Sequence, residues 1–421
     1  MKFLLFLNDR KKFMKRLGTL LITNKLAKNK ILLNISFFYA LFLIGANYSI
    51  VGPILIELSQ KVGVKIELMG YFFSMVSAGF ITGSFSTSLL GRFNIRNKIL
   101  LASYLLLSSS ILLLALSKNF STLLISAFFI GLSNGLIESS VTVTLAEIYK
   151  GRESQYINIS QAFFSFGAFI GPFLITFLIG RGFNISVSFI IMSSLCMLNF
   201  VLLLFIKIPT GKPDLFYEKS KTSILKGASP VKIFLVISIF LTMFFYICFE
   251  SGVNSWIPTF LRLQKSFSAL FAGSAIAFFW LTITAGRFLI GFISTRVRVT
   301  YLLLTISTLM VITFKLSTVI NNSVLIIILL ILTGLLMAGV WPLTVSLCVN
   351  FFPKSSNFLV PLIVMTGGIG GIFSPWVIGI VYDKFNIAAG INIAFVFSII
   401  IVVFVMGTII VEKYNNKNSL Y

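Results

Sequence analysis

Two carboxylates, Glu138 and Glu250, lie deep inside apolar stretches, in FFIGLSNGLIESSVTVTLA and TMFFYICFESGVNSWIP. A charge at mid-bilayer depth costs from about 3 to well over 10 kcal/mol, depending on how it is measured. Such a group is therefore paired, placed on a water-filled path, or used to hold and release a proton. Asn134, Glu138 and Thr142 are spaced at i, i+4 and i+8, so they form one polar stripe on a helix. Gly131, Gly135 and Ser139 form a small-residue stripe beside it, where a neighbouring helix can approach closely. The functional expectation for Glu138 is a proton-coupling carboxyl facing a central cavity. The structural alternative is a permanently neutral glutamate bonded to a neighbouring helix. Tyr246, Glu250 and Asn254 repeat the same spacing. Gly252 and Pro258 are expected to interrupt that second helix, and broken helices at membrane depth line cavities. Glu250 could bond a hydroxylated ligand, pair with Arg287 or a nearby Asn, or act as a second proton site.

Other polar side chains join these as candidate solute ligands. Gln161, in NISQAFFSFGAFIGP with Asn158 nearby, needs a partner inside an apolar helix, and a substrate hydroxyl is one. Asn134, Asn47, Tyr246 and Asn254 are similar candidates; any of them could instead tie helices together, at about 0.6 kcal/mol each. Trp280 and Trp341 fall near mid-span, away from the interfacial belt where tryptophan collects. Their faces suit the C–H faces of a sugar ring, or simply pack helices, whereas Trp256 is expected at the interface. Arg287, in WLTITAGRFLIGFISTRVRV, is read as a gating or topology residue that snorkels towards headgroups. Arg92, Arg96 and Lys98 in GRFNIRNK, with Arg296 and Arg298, are topology signals that bind anionic lipid or helix ends. The chain has no histidine, which excludes histidine relays and the usual zinc sites. Cys196, Cys248 and Cys348 have spacings that suit no metal cluster and read as small buried hydrophobes. No metal and no cofactor is expected beyond a proton as coupling ion.

The elements that must position these groups are apolar helices. Of the 421 residues 57% are hydrophobic and 11% charged, with a mean hydropathy of +1.02; a soluble domain carries about 25% charged residues. Apolar runs of about 20 residues, the length that spans a bilayer, occur near 31–58, 68–90, 99–117, 119–146, 157–180 and 185–207. A second set follows near 232–261, 269–294, 299–319, 323–351, 358–382 and 387–411. The fold class is thus an all-α membrane protein of twelve transmembrane helices. With the N-terminus inside, 25 of the 34 Lys and Arg fall on internal segments and 8 on external ones. That bias places both termini in the cytoplasm of a multi-pass protein of the cytoplasmic membrane. The net charge of +23 is thereby explained by topology, and no nucleic-acid partner is expected. Residues 1–30 read as a basic segment on the anionic inner leaflet, 208–231 as a cytoplasmic linker, and 412–421 as a cytoplasmic tail.

The linker divides the spans six and six, and the two sets resemble each other. FFY-x5-G-x-N occurs at Phe37–Asn47 and at Phe244–Asn254, an offset of 207 residues. Gly131 and Gly334 are 203 apart, as are Gly167 and Gly370, and Pro172 and Pro375. Four spans matching at a nearly constant offset argue for duplication of a six-helix unit, with halves at 31–207 and 232–411. On that alignment Glu138 corresponds to Trp341 and Glu250 to Leu43, as expected where a symmetric scaffold serves an asymmetric ligand.

On GLSNGLIESSVTV, NISQAFFSFGAFIGP, FFYICFESGVNSWIPTFL, FFWLTITAGRFLIGFISTR and GLLMAGVWPLTVSL, the chain resembles the major facilitator superfamily over about 31–411. Within it, the chain is similar to the fucose/glucose–proton symporter branch. The resemblance implies two pseudo-symmetric halves with solute bound between them. It places a proton-coupling glutamate at Glu138 and a sugar-contacting glutamine at Gln161. The chain departs from the pattern in three places. The loop motif G-x-x-x-D-R has Gly91 before Arg92 and Thr295 before Arg296, span one carries GANYS at 45–49 with no acid, and Phe164 replaces a second span-five amide.

The combined expectation is a monomeric, alternating-access secondary transporter in the lipid bilayer. It would take up a neutral hydroxylated small molecule, such as a hexose, with protons. The rivals are a proton-driven exporter of drugs or amphipathic metabolites and, more remotely, an intramembrane enzyme, for which no catalytic cluster is visible.

Overall fold

The computed structural model describes residues 30–90, 96–149, 152–206, 230–352 and 356–418. Residues 1–29 of the basic segment, Arg92, residues 208–229 of the linker and the last three residues of the tail lie outside that set. Among the described residues, twelve helices are long and apolar enough to cross a membrane. In chain order they are Lys30–Val62, Ile66–Thr87, Asn97–Leu116, Phe120–Ile148, Ile159–Gly180 and Ile185–Leu204, then Pro230–Gln264, Ala269–Ile290, Val299–Val319, Ser323–Phe351, Met365–Lys384 and Ile387–Glu412. These are spans one to twelve. They match the expected runs in number and order, because an apolar segment in hydrocarbon must satisfy its backbone within itself. An even count brings Lys30 and Asn418 to one face, here the terminal face; the other is the opposite face.

The duplication read from the sequence is realised in the packing. Gly131 of span four lies against the Val76 carbonyl of span two, and Gly334 of span ten lies against the Phe279 carbonyl of span eight. A methyl group at either position would press into the facing backbone. The repeated glycine thus lets the second and fourth helices of each half approach through their backbones.

Helix breaks fall elsewhere than expected. Span seven is continuous from Pro230 to Gln264 through Gly252 and Pro258, which corrects the predicted interruption. A proline only withdraws one N–H and frees the carbonyl four residues back. For Pro258 that is Asn254, whose carbonyl oxygen would lie 2.5 Å from a Cβ at Gly52 of span one. For Pro172 of span five it is Ala168, whose carbonyl accepts from Ser49 Oγ at 2.8 Å. The breaks lie instead in span one, at the 3-10 turn Gly52–Ile54, and in span ten, between Ser323–Met337 and Val340–Phe351.

Candidate functional site

The two halves are sealed together near the opposite face. Arg262 of span seven grips Glu57 of span one through both nitrogens, Nη2 at 2.7 Å from Oε1 and Nη1 at 2.8 Å from Oε2. Nη1 also donates to the Pro53 carbonyl at 3.1 Å. The two side chains are 18% and 24% exposed, so this pair is mostly withdrawn from water. Lys65 and Asp383 pair nearby at 3.6 Å in the open. Ser74 of span two donates to the Ile372 carbonyl of span eleven at 2.7 Å.

Deeper in the seam, Asn254 donates through Nδ2 to the Tyr48 carbonyl at 3.1 Å and accepts from Trp280 Nε1 at 2.9 Å. The Trp280 ring stands edge-on to Tyr48 and Phe164, with centroids 5.7 and 6.0 Å apart. Asn254 and Trp280 are buried. Spans one, five, seven and eight therefore meet in an aromatic plug fastened by one amide.

Towards the terminal face the seam becomes polar. Gln161 Nε2 donates to Glu138 Oε1 at 3.1 Å, joining spans five and four. Arg287 of span eight crosses to span five, where Nη1 donates to Ser165 Oγ at 3.1 Å and to the Gln161 carbonyl at 3.5 Å. Glu250 accepts from Tyr246 Oη one helical turn away. Burial relaxes along three of these helices in step: Asn134, Ser165 and Trp280 are buried, whereas Glu138, Gln161 and Arg287 are half-buried. The seam thus opens as a cleft towards the terminal face, with two acids, one guanidinium and one amide at its head. Such a set can hold a proton, balance its charge and offer hydrogen bonds to a polar solute.

Arg287 does not snorkel as expected. Hydrogen bonds to the Ser165 hydroxyl and the Gln161 carbonyl of span five hold the guanidinium at the seam. Trp256, expected at the interface, is fully buried and donates to the Pro375 carbonyl at 3.1 Å. Asn47 turns its amide towards Cys196 Sγ of span six, 4.0 Å away. Asn47 and Asn134 line a cavity with Tyr48, Ser77, Ser251 and Ser255, and Asn134 Oδ1 is buried there without a protein partner. Tyr246 is buried. Trp341 opens the second segment of span ten and is 38% exposed. Arg296 is exposed and stacks over the Phe292 ring, 4.5 Å from its centroid. Tyr48, Ser165, Glu57 and Arg262 were not singled out from the sequence. For the last two a signal existed: they lie 205 residues apart, inside the range of the repeat offset.

Twelve helices in two matched halves, meeting at a seam shut at one face and charged at its centre, define a membrane transporter scaffold. The chain belongs to the Major Facilitator Superfamily, whose family model matches residues 37–357. It is 21% identical to a protein TsgA homolog of Buchnera aphidicola over 359 residues, 85% of this chain and 90% of that one. It is also 21% identical to the glucose/mannose transporter GlcP of Bacillus subtilis over 365 residues, 82% of this chain and 86% of the relative. Among solved structures, a bacterial homolog of the human lysosomal transporter Spinster superposes with a TM-score of 0.72 at 13% identity, covering 92% of this chain and 97% of that one. A point mutant of the nucleoside transporter NupG superposes with a TM-score of 0.72 at 15% identity, covering 91% of this chain and 99% of that one. The protein is accordingly a transporter and not an enzyme.

Proposed function

We propose that this transporter is a proton-coupled symporter for a neutral hydroxylated solute, with a hexose as the favoured class and Glu138 as the coupling site. The observation that carries this reading is the Glu138–Gln161 pair, half-buried at the head of the cleft, where one side chain can hold a proton and the other can bind a hydroxyl. The similarity to a glucose/mannose transporter over most of both chains supports the solute class. Asn134, with its unpartnered oxygen, together with Asn47 and Trp341, would complete the solute's contacts. Tyr246, Asn254 and Trp280 would join when the plug opens, because their polar atoms are engaged in the present state. Glu250 is the second acid of the coupling machinery.

The terminal face is assigned to the cytoplasm on the positive-charge bias, so the cleft opens inward in a cytoplasmic membrane. The chain is assigned as a monomer with no nucleic-acid partner. Its halves are 31–207 and 232–411, joined by the linker 208–231. Coupling follows from charge: protonating a mid-membrane carboxyl removes a penalty of several kcal/mol from the closed state, enough to redirect a conformational equilibrium.

One observation favours the rival exporter. Asn254 is not at the cleft surface, and the roof of the cleft is aromatic. The test is uptake of a panel of labelled hexoses into proteoliposomes under an inward proton gradient, comparing wild type with Glu138→Gln. Accumulation of one sugar, lost in the variant while passive exchange survives, is expected. No uptake of any sugar by folded protein would overturn the hexose reading and put the exporter first.

A further inference from the structure

Beneath the Glu57–Arg262 clasp lies a cavity lined by Ser77 of span two and Asn134 of span four on one side and by Ser255 of span seven on the other. Its walls therefore come from both halves. Its volume is about 30 Å³, room for roughly two water-sized groups. Most of the lining is apolar, Ile130 and Phe189 included, and the Tyr48 ring is shared with the plug. One polar group there is unmet: Asn134 is 5% exposed, and its Oδ1 is buried without a protein partner. A buried acceptor left unbonded is costly, so this amide marks a place that receives a hydrogen-bond donor from outside the chain. A metal cation needs oxygens on most sides and does not suit such walls. A donor carried on carbon does.

Asn134 stands one helical turn from Glu138 on the same stripe of span four, about 6 Å along the axis. Asn134 is buried and Glu138 half-buried, so the cavity lies beyond the carboxyl for anything entering from the cleft. A sugar ring held by the Glu138–Gln161 pair is too large for the space. Its CH2–OH arm, one carbon and one oxygen, is of the right size. We infer that this cavity is the pocket for the hydroxymethyl arm of a hexose, with Asn134 as the specificity-determining residue that accepts the hydrogen of its hydroxyl. The methylene has Ile130 and Phe189 to pack on, and Ser77 and Ser255 supply further hydroxyls to the oxygen. An arm seated there is enclosed by spans of both halves, so it favours the state closed at the opposite face. A 6-deoxy sugar puts a methyl group in the pocket and leaves the amide unmet. A site built to bond a hydroxyl discriminates against an analogue lacking it. A pentose puts nothing in the pocket at all.

This inference rests on the hexose reading above, and its test separates the two. Labelled D-glucose, D-mannose and D-galactose are offered to proteoliposomes under an inward proton gradient. Each sugar that accumulates is then competed by its unlabelled self, by its 6-deoxy and 6-deoxy-6-fluoro derivatives, and by the pentose that lacks carbon six. All three analogues should compete roughly 10- to 100-fold more weakly than the parent, the range for one buried acceptor left unbonded. The fluoro sugar is included because it fills the pocket but cannot donate. Asn134→Ala should weaken the parent by the same factor and leave the 6-deoxy sugar within threefold, which also shows that the variant is folded. Ser255→Val, which narrows the cavity from the other half, should weaken the parent more than the pentose. A 6-deoxy sugar or pentose that competes within threefold of its parent in wild type would overturn the pocket while leaving the hexose reading intact. Equal weakening of parent and 6-deoxy sugar by Asn134→Ala would do the same. Accumulation of no hexose would overturn both.

Discussion

Removing the Glu57–Arg262 clasp should open the face opposite the termini by a calculable amount. The clasp is bidentate, with contacts of 2.7 and 2.8 Å and a third bond to Pro53. An exposed ion pair contributes about 0–1 kcal/mol, and a hydrogen bond to a charged group about 1.5–3 kcal/mol. A pair four-fifths withdrawn from water belongs near the middle of these ranges, at about 2 kcal/mol. The clasp exists only while the two halves meet at that face, so its loss acts on the closed–open equilibrium alone. At 1.4 kcal/mol per tenfold, 2 kcal/mol is about a 30-fold rise in the open population. A reporter is available at Ser255, which is buried in span seven and lines the cavity beneath the clasp. In a background with the three native cysteines replaced, Ser255→Cys should react slowly with an impermeant maleimide. Glu57→Gln or Arg262→Gln should each raise that rate about 30-fold. The double variant should be no faster than the singles, since both remove one interaction. The charge-exchanged pair Glu57→Arg with Arg262→Glu should recover most of the slow rate. Labelling within twofold of wild type in both singles, or a double variant equal to the product of the singles, would refute the argument.

Two further predictions concern the scaffold. Ser49→Ala should leave the Ala168 carbonyl, freed by Pro172, without its bond; the cost is about 0.6 kcal/mol and at most about 1.7. The same change should cost less in a Pro172→Ala background, where residue 172 supplies its own N–H, and thermal unfolding of the four proteins in detergent measures the difference. Gly131→Ala should destabilise by about 1–3 kcal/mol, since its methyl presses on the Val76 backbone. Gly334→Ala should cost less, because there the facing Phe279 oxygen stands 2.5 Å from the added carbon. Gly180→Ala, with nothing within 4 Å, serves as the neutral control in the same unfolding assay.

How much of this was legible before the structure follows from the range of each force. Spans were legible because hydrocarbon dictates helix from composition alone. The depth of Glu138 and Glu250 was legible for the same reason, since position within a run fixes position within the bilayer. Partners were not legible, because they depend on which helix faces which, and Arg287 shows the cost of reasoning without that. Judged by its own span it sits near a helix end and should reach for headgroups. Its partners, the Ser165 hydroxyl and the Gln161 carbonyl, come from span five, which the chain brings to it only after folding. Pro258 was misjudged in a related way: a proline removes one bond, and whether the helix breaks depends on what meets the freed carbonyl. The clasp differs, because it could have been found. In a duplicated unit arranged about an axis normal to the membrane, equivalent positions close to the axis face each other. Tyr48 and Asn254 meet at an offset of 206 residues, and Glu57 and Arg262 meet at 205, both within the span of offsets that the repeat displays. Opposite charges separated by that offset, near the same end of spans one and seven, therefore predict a contact across the seam. Glu138 has Trp341 and Glu250 has Leu43 at the equivalent positions, so neither acid can be neutralised by its own counterpart. Any compensating cation must come from outside the symmetric pairing.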